Sequence, residues 1–285
     1  MKIMKRIVLI FVLSVAAMSA AAKEFEKVPR AWKWISEKEA IFSYDGSFAD
    51  SAAFVVNAFT GVRREGVKAP AKYSDFPVKP EEGVNLTYSP DSTKIAFTRN
   101  NDLYVVDIAS GVETRLTFDG TELILNGYAS WVYYEEILGR ASRYKAFWWS
   151  PDSRKLAYYR FDNSEVPMFP IYSPFGQGGK LSLTRYPKSG QSNPEVKVGV
   201  IDLASADKST IWADFDETQD QYFGTPFWSA DSKELYVSWM PRRQYQLELY
   251  AVSAADGAKR NVYSEKYKTW IEWIDGMIFT DKGLY

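Results

Sequence analysis

The chain is 285 residues long, 46% hydrophobic and 16% aromatic, carries a formal net charge of −1, and contains neither histidine nor cysteine. These absences exclude a Ser-His-Asp or Cys-His nucleophilic apparatus within the chain, a disulfide framework, a lipobox, and the common His and Cys ligands of zinc and iron, so no cofactor and no metal is expected. The charge leaves no basic footprint for nucleic acid, and the aromatic content suits strands better than helices.

In chain order, Lys2, Lys5 and Arg6 form a basic start, 7–17 an apolar stretch and Ala20-Ala21-Ala22 a small-residue cleavage site. This predicts a signal peptide over 1–22 and a secreted product, periplasmic or extracellular. A membrane anchor needs about 20 uninterrupted apolar residues, and neither this stretch nor any later one supplies them, so no membrane partner is expected. Loss of the three basic residues brings the net charge to −4. Residues 32–44 followed by 53–61 resemble a degenerate copy of a unit that is clearer downstream.

That unit is Tyr88-Ser89-Pro90-Asp91-Ser92-Thr93-Lys94-Ile95-Ala96-Phe97. It recurs as Trp149-Ser150-Pro151-Asp152-Ser153-Arg154-Lys155-Leu156-Ala157-Tyr158 and as Trp228-Ser229-Ala230-Asp231-Ser232-Lys233-Glu234-Leu235-Tyr236-Val237. An aromatic closes one strand, the Ser-x-Asp-Ser segment turns the chain, and an alternating or apolar run opens the next strand. Further strands follow each hairpin, at 103–108 before Ala109-Ser110-Gly111, at 198–203, and at 249–252 before Ala255-Asp256-Gly257; a short strand at 114–117 completes one four-stranded meander. Tandem four-stranded meanders predict an all-β fold, a β-propeller over 23–285 with roughly four blades plus a fragment. The last pattern, 270–285, starts another copy and stops, so an incomplete, truncated propeller is expected.

Two insertions interrupt the repeats. The first, 122–145, holds a helical patch at 131–138 with Ser130 as candidate N-cap and Gly139 as candidate C′ residue. The second, 162–195, is rich in Pro, Gly and Ser and predicts a long loop. Its Gly190-Gln191-Ser192-Asn193-Pro194 segment has Pro where a nucleophile elbow needs Gly, and no base exists to activate the serine. Within the helical patch, Glu135 and Glu136 place two carboxylates beside Trp131, Tyr133 and Tyr134, a pattern able to receive a ligand ammonium. Composition alone favours the other reading, in which the same two acids lie on the solvated face of a short helix, since charges are usually exposed.

Several blocks carry a resemblance: Asn126-Gly127-Tyr128-Ala129-Ser130-Trp131-Val132-Tyr133-Tyr134-Glu135-Glu136-Ile137-Leu138, then Phe147-Trp148-Trp149-Ser150-Pro151-Asp152-Ser153, Phe161-Asp162-Asn163-Ser164-Glu165-Val166-Pro167, and Arg185-Tyr186-Pro187-Lys188-Ser189-Gly190 with Asn193-Pro194. Their order and spacing resemble the dipeptidyl-peptidase IV group of the prolyl oligopeptidase serine peptidase family from about Trp32 onward. The resemblance implies an eight-bladed N-terminal propeller covering a C-terminal α/β-hydrolase domain that holds the catalytic Ser, Asp and His. None of those three lies in this chain, which should be inactive alone. It further implies that Glu135 and Glu136 bind the free α-amine of a peptide substrate. Ser130 stands where members often have Asp, Tyr134 where they often have a third Glu, and no counterpart aligns for the family's substrate-touching propeller arginine. The partners implied are peptides with a free N-terminus and the hydrolase domain of the same protein, with a homodimer left open. Removal of dipeptides or of tripeptides stays undecided, and a stand-alone propeller that binds peptide or protein without catalysis is the alternative.

Overall fold

The computed structural model describes residues 29–34, 38–44, 52–65, 76, 80–274, 277, 279–280 and 283–284; the predicted signal peptide, 1–22, lies outside them. Residues 1–71 and 72–285 form two compact units. The first unit contains one antiparallel meander, β1 (Arg30–Trp34), β2 (Glu39–Ser43), β3 (Phe54–Asn57) and β4 (Arg63–Glu65), paired in sequence order. Its own small core is Ile41, Ala53 and Val55, which bears out the degenerate early copy as a four-stranded unit.

The second unit opens with another meander, β5 (Val84–Tyr88), β6 (Lys94–Arg99), β7 (Asp102–Asp107) and β8 (Glu113–Arg115). The next sheet is built from β9 (Ile124–Asn126), β10 (Phe147–Trp149) and β11 (Lys155–Asp162). A projecting hairpin follows, β12 (Met168–Ser173) with β13 (Lys180–Arg185), before the sheet resumes as β14 (Glu195–Asp202) and β15 (Thr210–Trp212). The last full sheet comprises β16 (Gln221–Phe223), β17 (Phe227–Trp228), β18 (Glu234–Pro241), β19 (Gln246–Ser253) and β20 (Lys259–Lys266), and a two-stranded piece, β21 (Phe279–Thr280) with β22 (Gly283–Leu284), follows it. Four-stranded antiparallel meanders in tandem are the blades of a β-propeller, as the repeat predicted. The hairpin β12–β13 corrects the expectation of an unstructured loop over 162–195. Pro170 sits within β12, tolerated because that strand pairs on one side only.

Strand alternation packs the blades. On β11, Leu156 and Tyr158 join Phe147 and Ile201 in a core shared with Ala96, Leu103, Val105 and Leu116 of the preceding sheet. Ala157, Tyr159 and Phe161 point the other way, into a larger core with Phe223, Trp228, Leu235 and Val237 of the following sheet. Gly199 on β14 leaves no space for a Cβ, which would meet Thr210 at 2.7 Å and Tyr158 at 2.8 Å.

The repeated turn has identical chemistry in each copy. The Ser89 hydroxyl donates to Asp91 Oδ1 at 2.6 Å, and Asp91 accepts the Thr93 N–H at 3.0 Å; Ser150 with Asp152 and Ser229 with Asp231 repeat the contact at 2.5 and 2.8 Å. The second serine of each turn adopts a left-handed conformation, φ 61° at Ser92, 60° at Ser153 and 60° at Ser232. From there it reaches across blades. The Asp91 N–H donates to Ser153 Oγ and the Asp152 N–H to Ser232 Oγ, both at 3.0 Å. The aromatic that opens the motif does likewise: Trp149 Nε1 donates to the Thr87 carbonyl at 3.1 Å and Trp228 Nε1 to the Trp148 carbonyl at 3.2 Å.

Two outcomes follow. Ser153→Ala or Ser232→Ala orphans a backbone N–H between blades and should cost about 1 to 2 kcal/mol in urea unfolding, whereas Ser92→Ala, at an exposed position, should stay within about 0.5 kcal/mol. The Ser89 hydroxyl and the Thr93 N–H hold the Asp91 carboxyl down at about 2 from its ordinary 3.8. Because the folded value lies below the unfolded one, this contribution is complete above about pH 4 and lost as the pH falls toward 2. Asp91→Asn should therefore flatten the decline of stability across that window, measured by unfolding at successive pH values.

Candidate functional site

The first strand of the third sheet is split. β9 pairs with β11 through Asn126↔Arg160 and β10 through Phe147↔Tyr158, and residues 127–146 loop out between them. The neck of this excursion is a small ladder on β11: the Gly127 N–H donates to the Tyr159 carbonyl at 2.9 Å, the Tyr159 N–H to Ala146 at 3.0 Å, the Ala146 N–H to Gly127 at 2.9 Å, and the Ala129 N–H to Tyr144 at 2.7 Å. Gly127, at φ 69°, is required here, because its position is left-handed and a Cβ would press on Leu103, Thr98 and Phe147 at 3.2 to 3.4 Å.

The excursion carries Glu135 and Glu136 on a π-helical turn, Tyr133–Ile137, closed by the Leu138 N–H bonding to the Tyr133 carbonyl at 2.7 Å. An ordinary helix capped by Ser130 was expected. The turn is instead wider, and Ser130 does not cap it: its hydroxyl is buried without a hydrogen-bond partner, while its carbonyl accepts the Tyr134 N–H at 3.0 Å. Gly139 follows the turn at φ 75° and ψ 155°, an extended positive-φ conformation open to glycine, and not the left-handed helical one expected of a C′ residue. A tertiary bond anchors the turn. Tyr133 is fully buried, and its hydroxyl accepts the Phe223 N–H of β16 at 3.0 Å. Burial pushes the Tyr133 phenol far above its usual range, so it stays neutral.

Around this anchor the aromatics divide. Tyr134 stacks on Tyr144 at 3.8 Å, and Tyr144 on Tyr128 at 5.0 Å. Trp131 meets Tyr186 of the second insertion edge-on at 4.4 Å, and Tyr186 leans on Phe169. The excursion thus meets the second insertion through Trp131, and the two acids it carries have unequal surroundings. Glu135 is largely buried, with 14% of its side chain exposed, and its Oε2 accepts from Arg140 Nε at 2.5 Å. Glu136 is exposed. Arg140 belongs to a 3-10 turn, Arg140–Ser142, and 74% of its side chain is exposed. Burial first, and then the nearby phenols and the Glu135 charge, push the Tyr144 hydroxyl up to about 12.

A second acidic feature was not singled out in the sequence. A cleft of about 370 Å³ is lined by Asp162, Glu165, Glu195 and Asp220 together with Asn193 and Thr218. Asp162 and Glu195 face each other across β11 and β14, an unfavourable like-charge pair. Asp220 is paired with Arg242 at 3.0 Å. Asn193 donates to the Tyr222 hydroxyl at 2.8 Å and to Asp220 at 3.3 Å, so the Asn193-Pro194 loop is tied to the strand that anchors Tyr133. These acids lie up to 58 positions apart in the chain, and no local pattern unites them. Among the described residues no group of three or more His, Cys, Asp or Glu could hold a metal ion.

Residues 67–283 match the family described as the dipeptidyl peptidase IV (DPP IV) N-terminal region. A probable dipeptidyl peptidase 4 of Aspergillus flavus is 34% identical over 213 residues, 71% of this chain and 27% of that protein. Dipeptidyl peptidase 4 of Sus scrofa is 41% identical over 121 residues, 41% of this chain and 15% of that protein. Among solved structures, dipeptidyl peptidase 4 of Porphyromonas gingivalis superposes with a TM-score of 0.61 at 22% identity, over 90% of this chain and 33% of that one, a likeness in fold. The chain spans a third or less of the length of each.

Tyr133→Phe removes the acceptor of a buried backbone N–H while keeping the ring. It should cost about 1 to 3 kcal/mol in chemical denaturation and speed hydrogen exchange at the Phe223 amide.

Proposed function

Because the chain belongs to the dipeptidyl peptidase IV N-terminal-region family, we propose that it is the substrate-admitting propeller of an exported prolyl di- or tripeptidyl serine exopeptidase, with Glu135 and Glu136 binding the free amine of the peptide. The observation that carries this reading is the pair itself: two adjacent carboxylates on a π turn, which recurs at functional sites, pinned from below by the Tyr133 bond to β16. A peptide ammonium offers three donors and two carboxylates accept them, so the amine is fixed at a set distance from the bond to be cut. An acylated or internal peptide has no ammonium and leaves the largely buried Glu135 without that partner.

The remaining partners follow from the same reading. Nucleophile, base and orienting acid come from an α/β-hydrolase domain of the same protein, since a chain without histidine supplies none of the usual pairs. The basic and apolar run over 1–22 directs export to the periplasm or the exterior. Homodimerisation is supported by the β12–β13 hairpin, where Met168, Tyr172, Leu181 and Leu183 are each more than half exposed.

The test is kinetic, in the full-length protein. Glu135→Gln keeps size and removes the more buried charge, and should lower kcat/KM toward free-amine Xaa-Pro substrates by roughly 30- to 1,000-fold, the equivalent of about 2 to 4 kcal/mol. Glu136→Gln should lower it less, in keeping with its exposure, while labelling of the catalytic serine by a small amine-free phosphonofluoridate proceeds at the parental rate in both. Parental kinetics within about twofold in both variants would return the pair to the solvated face of the turn.

A further inference from the structure

The backbone after the acidic pair is bent at a cost. Gly139 has φ 75° with ψ 155°, and Arg143 and Tyr144 follow at φ 51° and 67°, conformations that bulky side chains adopt only when the surroundings hold them. What holds them is visible. Tyr144 stacks on Tyr134, and its carbonyl accepts the Ala129 N–H, so residues 139–144 fold back over the turn and deliver Arg140 to Glu135.

Within this arrangement the guanidinium occupies Glu135 Oε2, one of the oxygens assigned above to the substrate amine. The two partners are unlike in their freedom: Glu135 is 14% exposed and Arg140 74%. A cation held from the solvent side at a single Nε contact is released to water at small cost, because an exposed guanidinium regains its hydration as it leaves. Glu136 has no hydrogen bond or ion pair with any described residue and is open to an arriving charge.

We infer that Arg140 is a displaceable internal counter-ion which holds Glu135 in the ligand-free protein and which the substrate ammonium must replace. The inference rests on the reading of Glu135 and Glu136 as the amine site. The ammonium meets Glu136 first, and the guanidinium then leaves Glu135 for solvent as the ammonium takes its place. Affinity is lowered by the fraction of molecules in which Arg140 occupies the site. The factor is the same for every ligand that must displace the guanidinium, so a simple alkylamine and a peptide are weakened alike. Arg140 therefore acts through Glu135 and sets affinity without touching the reacting carbonyl.

The experiment compares Arg140→Ala and Arg140→Lys with the parent in the full-length protein, using a free-amine Xaa-Pro or Xaa-Xaa-Pro 4-nitroanilide and propylamine as competing inhibitor. Arg140→Ala should lower KM and the propylamine inhibition constant by about two- to fivefold, with a smaller change in kcat. Arg140→Lys, which keeps the charge, should stay near the parent. A KM for Arg140→Ala at or above the parental value overturns the inference, as does a Lys variant that behaves like the Ala variant. Glu135→Gln and Glu136→Gln, measured alongside, separate the two levels. If both leave kcat/KM unchanged, the amine site itself falls; if they lower it while Arg140→Ala does not lower KM, only the role of Arg140 falls.

Discussion

A sheet that is apolar on both faces has to be covered on both, and β11 meets that requirement from two directions at once. Its even positions, Leu156 and Tyr158, are closed off by the preceding blade, and its odd positions, Ala157, Tyr159 and Phe161, by the following one. Burial supplies the attraction but does not choose the offset between sheets, because apolar contact is non-directional. The offset is chosen by polar bonds at the turns. Serine hydroxyls accept from the aspartate N–H one blade earlier, and indoles donate to a strand carbonyl one blade earlier. Since each of these bonds needs the turn to keep one shape, the Ser-Asp contact within the turn and the left-handed second serine are conditions for the stacking between blades as well as for the hairpin.

The candidate site depends on the same strand. An excursion of 20 residues between β9 and β10 would ordinarily loosen a sheet edge, yet both pieces keep one register on β11 and the neck is closed by backbone bonds to Tyr159. The acids consequently sit on a loop whose two ends are fixed to a buried strand and whose middle is fixed, through Tyr133, to the next blade. A loop held at three points presents charges at a defined place without itself being part of the sheet.

Legibility in the sequence followed the chemistry. The Ser-x-Asp-Ser turn was readable because its hydrogen bonds require those residue types at those positions, and the tandem blades followed from it. The hairpin β12–β13 was not readable. Alternation arises when one face is buried, and here Met168, Ile171, Tyr172, Leu181 and Leu183 are exposed on a two-stranded piece with Pro170 inside it. The short helix was legible as a helical turn, but neither as a π turn nor in the way Gly139 leaves it. Five residues carry no local signal for i→i+5 bonding, and the bond that anchors them, Tyr133 to Phe223, spans 90 positions. The acidic cleft was hidden for the same reason, since Asp162, Glu195 and Asp220 converge only once β11, β14 and β16 are packed. Glu135 and Glu136 could be selected from their neighbours in the chain, but the difference between them could not.

That difference has a chemical consequence. Two adjacent glutamates in one segment would be near-equivalent on an exposed helix, each solvated and each weak as a partner. Here one is sunk beside stacked tyrosines and already paired, while the other is open to water. An open carboxylate attracts any cation at long range but discriminates poorly, because water competes for it equally. A buried carboxylate discriminates well, because losing a partner there is costly, but cannot be left empty for the same reason. In the amine site proposed for this chain, Arg140 would resolve that conflict: it is paired with Glu135 and would keep that carboxylate satisfied until a cation making more contacts than one guanidinium nitrogen takes its place. Affinity at such a site comes from the difference between two cations at one carboxylate, and a solvent-facing arginine is suited to being the weaker of the two.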